Sequence, residues 1–278
     1  MKDLMALVTP VLDHVLEQPA VYALALAGKL GAHVTTMVGT IEPFQAIRSG
    51  DVDNMQGLGA PRQPPSLQDR LARTTELIQS AAGRAGVACE ILTGSDGPLL
   101  SAQIVTAAAQ VRDLTAIAVH GPLTYPRQGL VEAALFGSGR PVLMIPPSAQ
   151  PFSGGVIVVG WDATRSAVRA LHVALPLLTR AGDVVVATVS DDKQPPVLAS
   201  GPAVCRYLEH WAVDGRFHSV PRRQKSVGDD LLLFAGDLGA DLIVLGGFAH
   251  AREREFLFGS VTRDIFQAQL KIPVLLSH

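Results

Sequence analysis

The chain has 278 residues, 48% of them hydrophobic and 17% charged, with a formal net charge of −2. That composition excludes disorder and leaves enough apolar material for a large buried core, at roughly 100–200 residues per domain about two domains' worth. Split near residue 150, the charges run 10 basic and 12 acidic, then 13 and 13, so neither half has the basic excess that binds nucleic acid through its phosphates or a charged membrane face.

In chain order, Leu4 to Val8 reads as a strand, Gln18 to Leu30 as a helix stopped by Gly31, and His33 to Val38 as a strand. Ser66 to Ala85 follows as a helix, Val87 to Leu92 as a strand, Leu99 to Val111 as a helix and Leu114 to Val119 as a strand. Leu130 to Phe136 is a helix and Pro141 to Ile145 a strand. The pattern then restarts. Gly155 to Gly160 is a short β-branched run, and Thr164 to Arg180 repeats apolar residues at Ala167, Leu171, Ala174, Leu175 and Leu178, which is helical spacing. Asp183 to Ser190, Arg216 to Val220, Asp241 to Leu245 and Pro273 to Leu276 read as strands, separated by helices over Ala203–Ala212, Val227–Leu238 and Arg254–Leu270.

Strands that alternate with helices and are apolar nearly throughout argue a parallel sheet covered on both faces. The order occurs twice, and the halves echo each other locally: RPVLMIP (140–146) with KIPVLLS (271–277), and VRDLTAIAVHG (111–121) with LGADLIVLGG (238–247). We read an internal duplication into domains 1–148 and 152–278, joined by the proline-rich stretch Pro146 to Pro151. Gln45 to Pro65, polar and rich in Gly and Pro, falls outside the repeat and reads as a surface loop, either a lid or contact arm or a plain insertion.

No apolar run reaches the ~18 residues that span a bilayer, and Asp13 and Glu17 interrupt any signal-peptide core. Cys89 and Cys205 are the only cysteines and form no C-x-x-C pair, which fits a reducing cytoplasm and excludes a cysteine zinc cage. The expected location is cytoplasmic, without membrane or nucleic-acid partners. There is no P-loop, G-x-S-x-G or H-E-x-x-H motif, and no nucleophile–base set can be assembled from spacing.

The stretch with most chemistry is 245–263, LGGFAHAREREFLFGSVTR. It begins where a strand ends and leads into a helix. Gly246 and Gly247 allow a backbone turn and a close approach to a ligand. Gly259 and Ser260 follow, then Val261 and Thr262, and N–H groups at a helix start suit phosphate oxygens. His250, Arg252 and Arg254 either neutralise phosphates or form a solvated loop paired with Glu253 and Glu255. Trp161 either stacks a purine or packs inward; His120 reads more readily as a capping or core residue than as a base.

Here the sequence resembles the universal stress protein family, whose pattern is Gly, two residues, Gly, nine residues, Gly, then Ser or Thr. This chain supplies Gly246, Ala249 in place of the second glycine, nine residues from His250, then Gly259 and Ser260. The run VVGWD (158–162) with Ser166, Ala167, Arg169 and Leu171 is similar to the family's first strand and helix. The resemblance covers 155–278 well and 1–148 more loosely.

It implies an α/β fold of two tandem doubly wound domains, each a five-stranded parallel sheet of order 3-2-1-4-5 with helices on both faces. It also implies an adenine nucleotide, ATP or a relative with or without Mg, bound in the second half. Asp162 would lie near the adenosine, the Val189 backbone at the adenine, and Gly246, Gly247, Ala249, His250, Gly259, Ser260, Val261 and Thr262 around the phosphates.

The first half has no acid after Val8, and its Gly137 and Ser138 stand before the last strand, where a helix stop is the simpler reading. The resemblance further implies an intramolecular pseudo-dimer in which Leu143–Ile145 pairs with Val274–Leu276, a further homodimer being open, and a regulatory protein partner not identified by the sequence. The role expected is stress response through nucleotide binding, regulatory rather than catalytic. Its rivals are an assembly scaffold that binds no nucleotide and an enzyme of the adenine-nucleotide α-hydrolase type.

Overall fold

A computed structural model describes residues 1–9, 18–40, 66–93, 100–124, 127–190, 196–247 and 260–278. The first half runs β1 (Asp3–Val8), α1 (Gln18–Leu30), β2 (His33–Val38), α2 (Leu67–Ala85), β3 (Cys89–Leu92), α3 (Ala102–Gln110), β4 (Leu114–Ala118), α4 (Arg127–Glu132) and β5 (Val142–Ile145). The second runs β6 (Val156–Gly160), α5 (Arg165–Leu178), β7 (Asp183–Ser190), α6 (Gly201–Glu209), β8 (Gly215–Pro221), α7 (Val227–Asp237), β9 (Leu242–Gly246), α8 (Ser260–Gln267) and β10 (Val274–Ser277). The expected elements are present among the described residues, with ends shifted by a few residues; residues 254–259 of the helix expected over Arg254–Leu270 lie outside them. A π-helical turn, Ala133–Gly137, extends α4, and a 3-10 turn, Val197–Ala199, precedes α6. The sequence-expected loop at 45–65 lies outside the described residues.

All ten strands form one sheet, in the order β3-β2-β1-β4-β5-β10-β9-β6-β7-β8. Each half therefore has the order 3-2-1-4-5 with parallel neighbours. The halves meet at β5 and β10, the single antiparallel pairing among the described residues, where Val274 lies opposite Met144, Leu275 opposite Leu143 and Leu276 opposite Val142. These are the two edge strands expected to meet. Their pairing joins what would otherwise be two exposed ladders.

Alternate side chains point to opposite faces of the sheet, so two apolar layers form. One packs Leu143, Leu275, Ile157 and Val159 under helices that include α1 and α5; the other packs Val142, Met144, Leu276 and Val158 under α4, α7 and α8. Both layers run unbroken across the seam. Polar contacts also cross it: Arg180 donates to the carbonyl of Lys29 (2.8 Å) and the Leu123 N–H to that of Phe266 (2.6 Å), while Gln18 holds the linker through the carbonyls of Pro147 (2.8 Å) and Ala149 (3.1 Å).

Local chemistry sets the element ends. Ser66 caps α2 in a reciprocal pair with Asp69, and Gly86 closes it in the left-handed region. Asp113 ties the starts of β1 and β4 together, accepting from the N–H groups of Lys2 (2.6 Å) and Asp3 (3.2 Å). Partial burial alone would raise its pKa, but these donors, with the N-terminal ammonium and Arg140, hold the carboxyl below its ordinary value. A lowered folded value gives stability that is present above the unfolded pKa and is lost as pH falls through the folded one. Asp113→Asn is expected to cost at most about 1 kcal/mol near pH 7 in this solvent-screened position, and the difference should vanish near pH 2 in urea unfolding.

Candidate functional site

In each half the chain leaves the first strand toward one side of the sheet while the fourth strand lies on the other. A crevice at the carboxyl ends of the strands is expected at that point. In the second half it lies between β6 and β9.

After β6 the chain makes a tight turn through Asp162, Ala163 and Thr164. Asp162 Oδ1 accepts from the Thr164 N–H (2.9 Å) and hydroxyl (2.6 Å), and the Thr164 hydroxyl oxygen accepts from the Ala167 N–H (3.3 Å), capping α5. Ala163 sits at φ 60°, a left-handed conformation costly for a residue with a Cβ. One Asp162 oxygen is thus committed to the turn. The other faces solvent on an exposed side chain and can only accept when ionised.

Beside it, Ala187 on β7 gives its carbonyl to the Trp161 N–H (2.8 Å), and Gly160 opposite Ala187 is the last β6–β7 pair. Strand orientation repeats every two residues, so Val189 turns its main-chain groups the same way, past the end of β6.

Gly246 and Gly247 differ in why they are glycine. A Cβ on Gly246 would stand 2.6 Å from the Ser166 carbonyl carbon and 2.9 Å from Ala167 Cα, and closer still to the Ala167 nitrogen. The end of β9 is pressed against the start of α5, so the protein's own backbone leaves no room for a side chain at 246. A Cβ on Gly247 would meet only ordinary contacts at 3.6–3.7 Å, to Leu135, Ser277 and Thr262. The Gly247 N–H donates to the Ser277 carbonyl (2.7 Å). Thr262 is buried in the first turn of α8, with Val261 half-buried beside it. Ser260 begins that helix. Ala249, His250 and Gly259, with Arg252 and Arg254, lie outside the described residues.

Trp161 is packed rather than open for stacking in the crevice. It is 7% exposed, and its indole N–H donates to the Ala199 carbonyl (2.8 Å).

The corresponding place in the first half lies between β1 and β4. Leu7, Thr9, Pro19, Ile117, Ala118, His120, Arg127 and Leu130 surround a cavity of about 10 Å³, no more than one water. The Arg127 guanidinium donates to the Ala118 carbonyl (2.8 Å) at the end of β4, across the mouth of the crevice. Sequence reading did not single out Arg127, because only the fold brings it over that strand end. Gly137 and Ser138 end the α4 extension: the Ser138 hydroxyl donates to the Ala134 carbonyl, and a Cβ on Gly137 would stand 2.5 Å from Thr106 Oγ1. They act as a helix stop.

No group of three or more His, Cys, Asp or Glu able to hold a metal occurs among the described residues, and no helix there is long and apolar enough to cross a membrane. Burial raises the pKa of both free cysteines, Cys89 and Cys205.

The arrangement defines a doubly wound α/β protein of two halves with the same strand order, in whose second half Asp162, Val189 and the starts of α5 and α8 follow the ends of neighbouring strands. Residues 155–278 match the Universal stress protein family model. The structure of a universal stress protein from Archaeoglobus fulgidus shares the fold across both halves, with a TM-score of 0.68, 16% identity, and coverage of 98% of this chain and 97% of that one. A functionally unknown protein from Pseudomonas aeruginosa PAO1 is similar at a TM-score of 0.59 and 17% identity, over 98% of this chain and 92% of the other. No curated protein matches the sequence.

Proposed function

We propose that the second half binds an adenine nucleotide, and that occupancy, rather than turnover, is what the rest of the molecule responds to. The observation that carries this reading is the divided carboxylate of Asp162. One oxygen fixes the turn and the α5 cap, and the other is left as an acceptor at the topological switch point. Sugar hydroxyls are the donors such an oxygen suits. The main chain of Val189 supports the reading as a place for a flat base, and the first N–H groups of α8, at Ser260, Val261 and Thr262, as a seat for phosphate oxygens. The first half, with Arg127 over its crevice, serves as the structural partner in this reading. Two unpaired thiols accord with work in the cytoplasm.

Asp162→Asn is the discriminating variant. Its amide oxygen can still accept from Thr164, so folding should be unchanged, while the open acceptor becomes an NH₂ donor. Equilibrium dialysis with ATP, ADP and AMP should show binding to the parent protein and about 10-fold weaker binding to the variant, the effect of losing one charge-assisted hydrogen bond. No binding at millimolar nucleotide by the parent protein would end this reading and leave an assembly role, which the unbroken seam between β5 and β10 favours.

A further inference from the structure

Beside Trp161, α5 and α6 part to leave an open-ended groove of about 270 Å³. Trp161 and Leu171 are buried walls, Val168 and Val204 line it, and Leu198 stands at the rim. None of Asp162, Val189, Gly246 or Thr262 lines it, so it is separate from the nucleotide site. Two features distinguish it from an ordinary gap between helices. The first is its rim: Val197 and Leu198, on the 3-10 turn before α6, are 84% and 95% exposed, two branched apolar side chains held in water at the mouth of an apolar cavity.

The second is a fixed polar group. His172 Nδ1 lies 2.8 Å from the Val168 carbonyl. A carbonyl cannot donate, so the proton is on Nδ1, and in the neutral ring Nε2 is an acceptor. Tyr207 Oη lies 3.1 Å from that Nε2, so the hydroxyl must donate to it. With the ring neutral the phenolic proton is thereby used, and the oxygen, on a residue that lines the groove, is left to accept.

We propose that this groove binds a small, flat, largely apolar molecule carrying one N–H or O–H donor, with the ring against Trp161 and Leu171 and the donor on Tyr207 Oη. An apolar cavity of about 150 Å³ already accommodates benzene, so this volume suits a one- or two-ring molecule. A flat protein surface would use the exposed rim but would leave both the depth and the acceptor unfilled. On binding, Leu198 and Val197 would cover the ring and leave water.

Indole and N-methylindole are matched probes, differing in the one donor. Calorimetric titration of the whole protein should show indole binding about three- to tenfold tighter than N-methylindole, the effect of one neutral hydrogen bond. Tyr207→Phe should bind the two equally. Ala203→Phe, which fills the groove, should bind neither, with an unchanged circular dichroism spectrum as the folding control. The proposal fails if the parent protein binds neither probe, if Tyr207→Phe keeps the preference, or if Ala203→Phe still binds. A concentration-dependent mass in sedimentation without indole binding would assign the groove to a second copy of the chain and also overturn it.

Discussion

Gly246→Ala should lower the unfolding free energy by about 3 kcal/mol or more, whereas Gly247→Ala should cost less than about 1 kcal/mol. The new methyl at 246 meets the main chain of Ser166 and Ala167, which has no rotamer with which to yield. Either α5 shifts away from β9 or the strand end unpairs, and either course disturbs a contact that positions Asp162. At 247 the nearest atoms stand at 3.6 Å or beyond, so the methyl is accommodated. Urea unfolding of both variants checks this. Equal and small effects would mean that the end of β9 is free of α5.

Leu143→Ala and Leu275→Ala should each destabilise by about 3 kcal/mol, the middle of the range for a buried leucine truncated to alanine. The two residues are 1% and 0% exposed and lie directly opposite each other on the antiparallel seam. Because they share one contact and one cavity, their combined effect should be smaller than the sum. Their apolar layer extends unbroken into both halves, so unfolding should remain a single transition in the parent protein and in each variant, by both circular dichroism and tryptophan fluorescence. Two separated transitions would show that the halves unfold independently and that the seam is a weak contact between domains.

Much of the fold could be read from the sequence because a parallel sheet writes itself plainly. Runs such as VIVVG at 156–160 and LIVLG at 242–246 are buried on both faces, and the intervening helices keep a 3.6-residue apolar spacing. The seam was legible as well, through the repeated ending of the halves at 140–146 and 271–277. The ends of elements were less so. The helix read at Leu99–Val111 is confined to Ala102–Gln110 and begins at its Ser101 cap, while the π turn at Ala133–Gly137 leaves no mark in a periodicity of 3.6.

At the site, the sequence pointed to Asp162 but could not divide its two oxygens between the turn and solvent. It marked both glycines of the pair at 246 and 247 for the same reason, although only packing distinguishes them. Arg127 and the His172–Tyr207 pair were out of reach, because Arg127 meets Ala118 nine residues away and His172 meets Tyr207 across 35 residues, through contacts that only the folded helices create.

Joining the two halves in one polypeptide has an evolutionary consequence. In an assembly of identical subunits, every substitution appears on both sides of the symmetry axis, so a cavity cannot be closed in one copy and retained in the other. Fusion removes that constraint. An arginine can settle over the strand end at Ala118 without any change at Asp162, and each copy still supplies half of the shared core whatever becomes of its strand ends. Specialisation of one repeat and retention of the other thus become independent, each open to selection by itself.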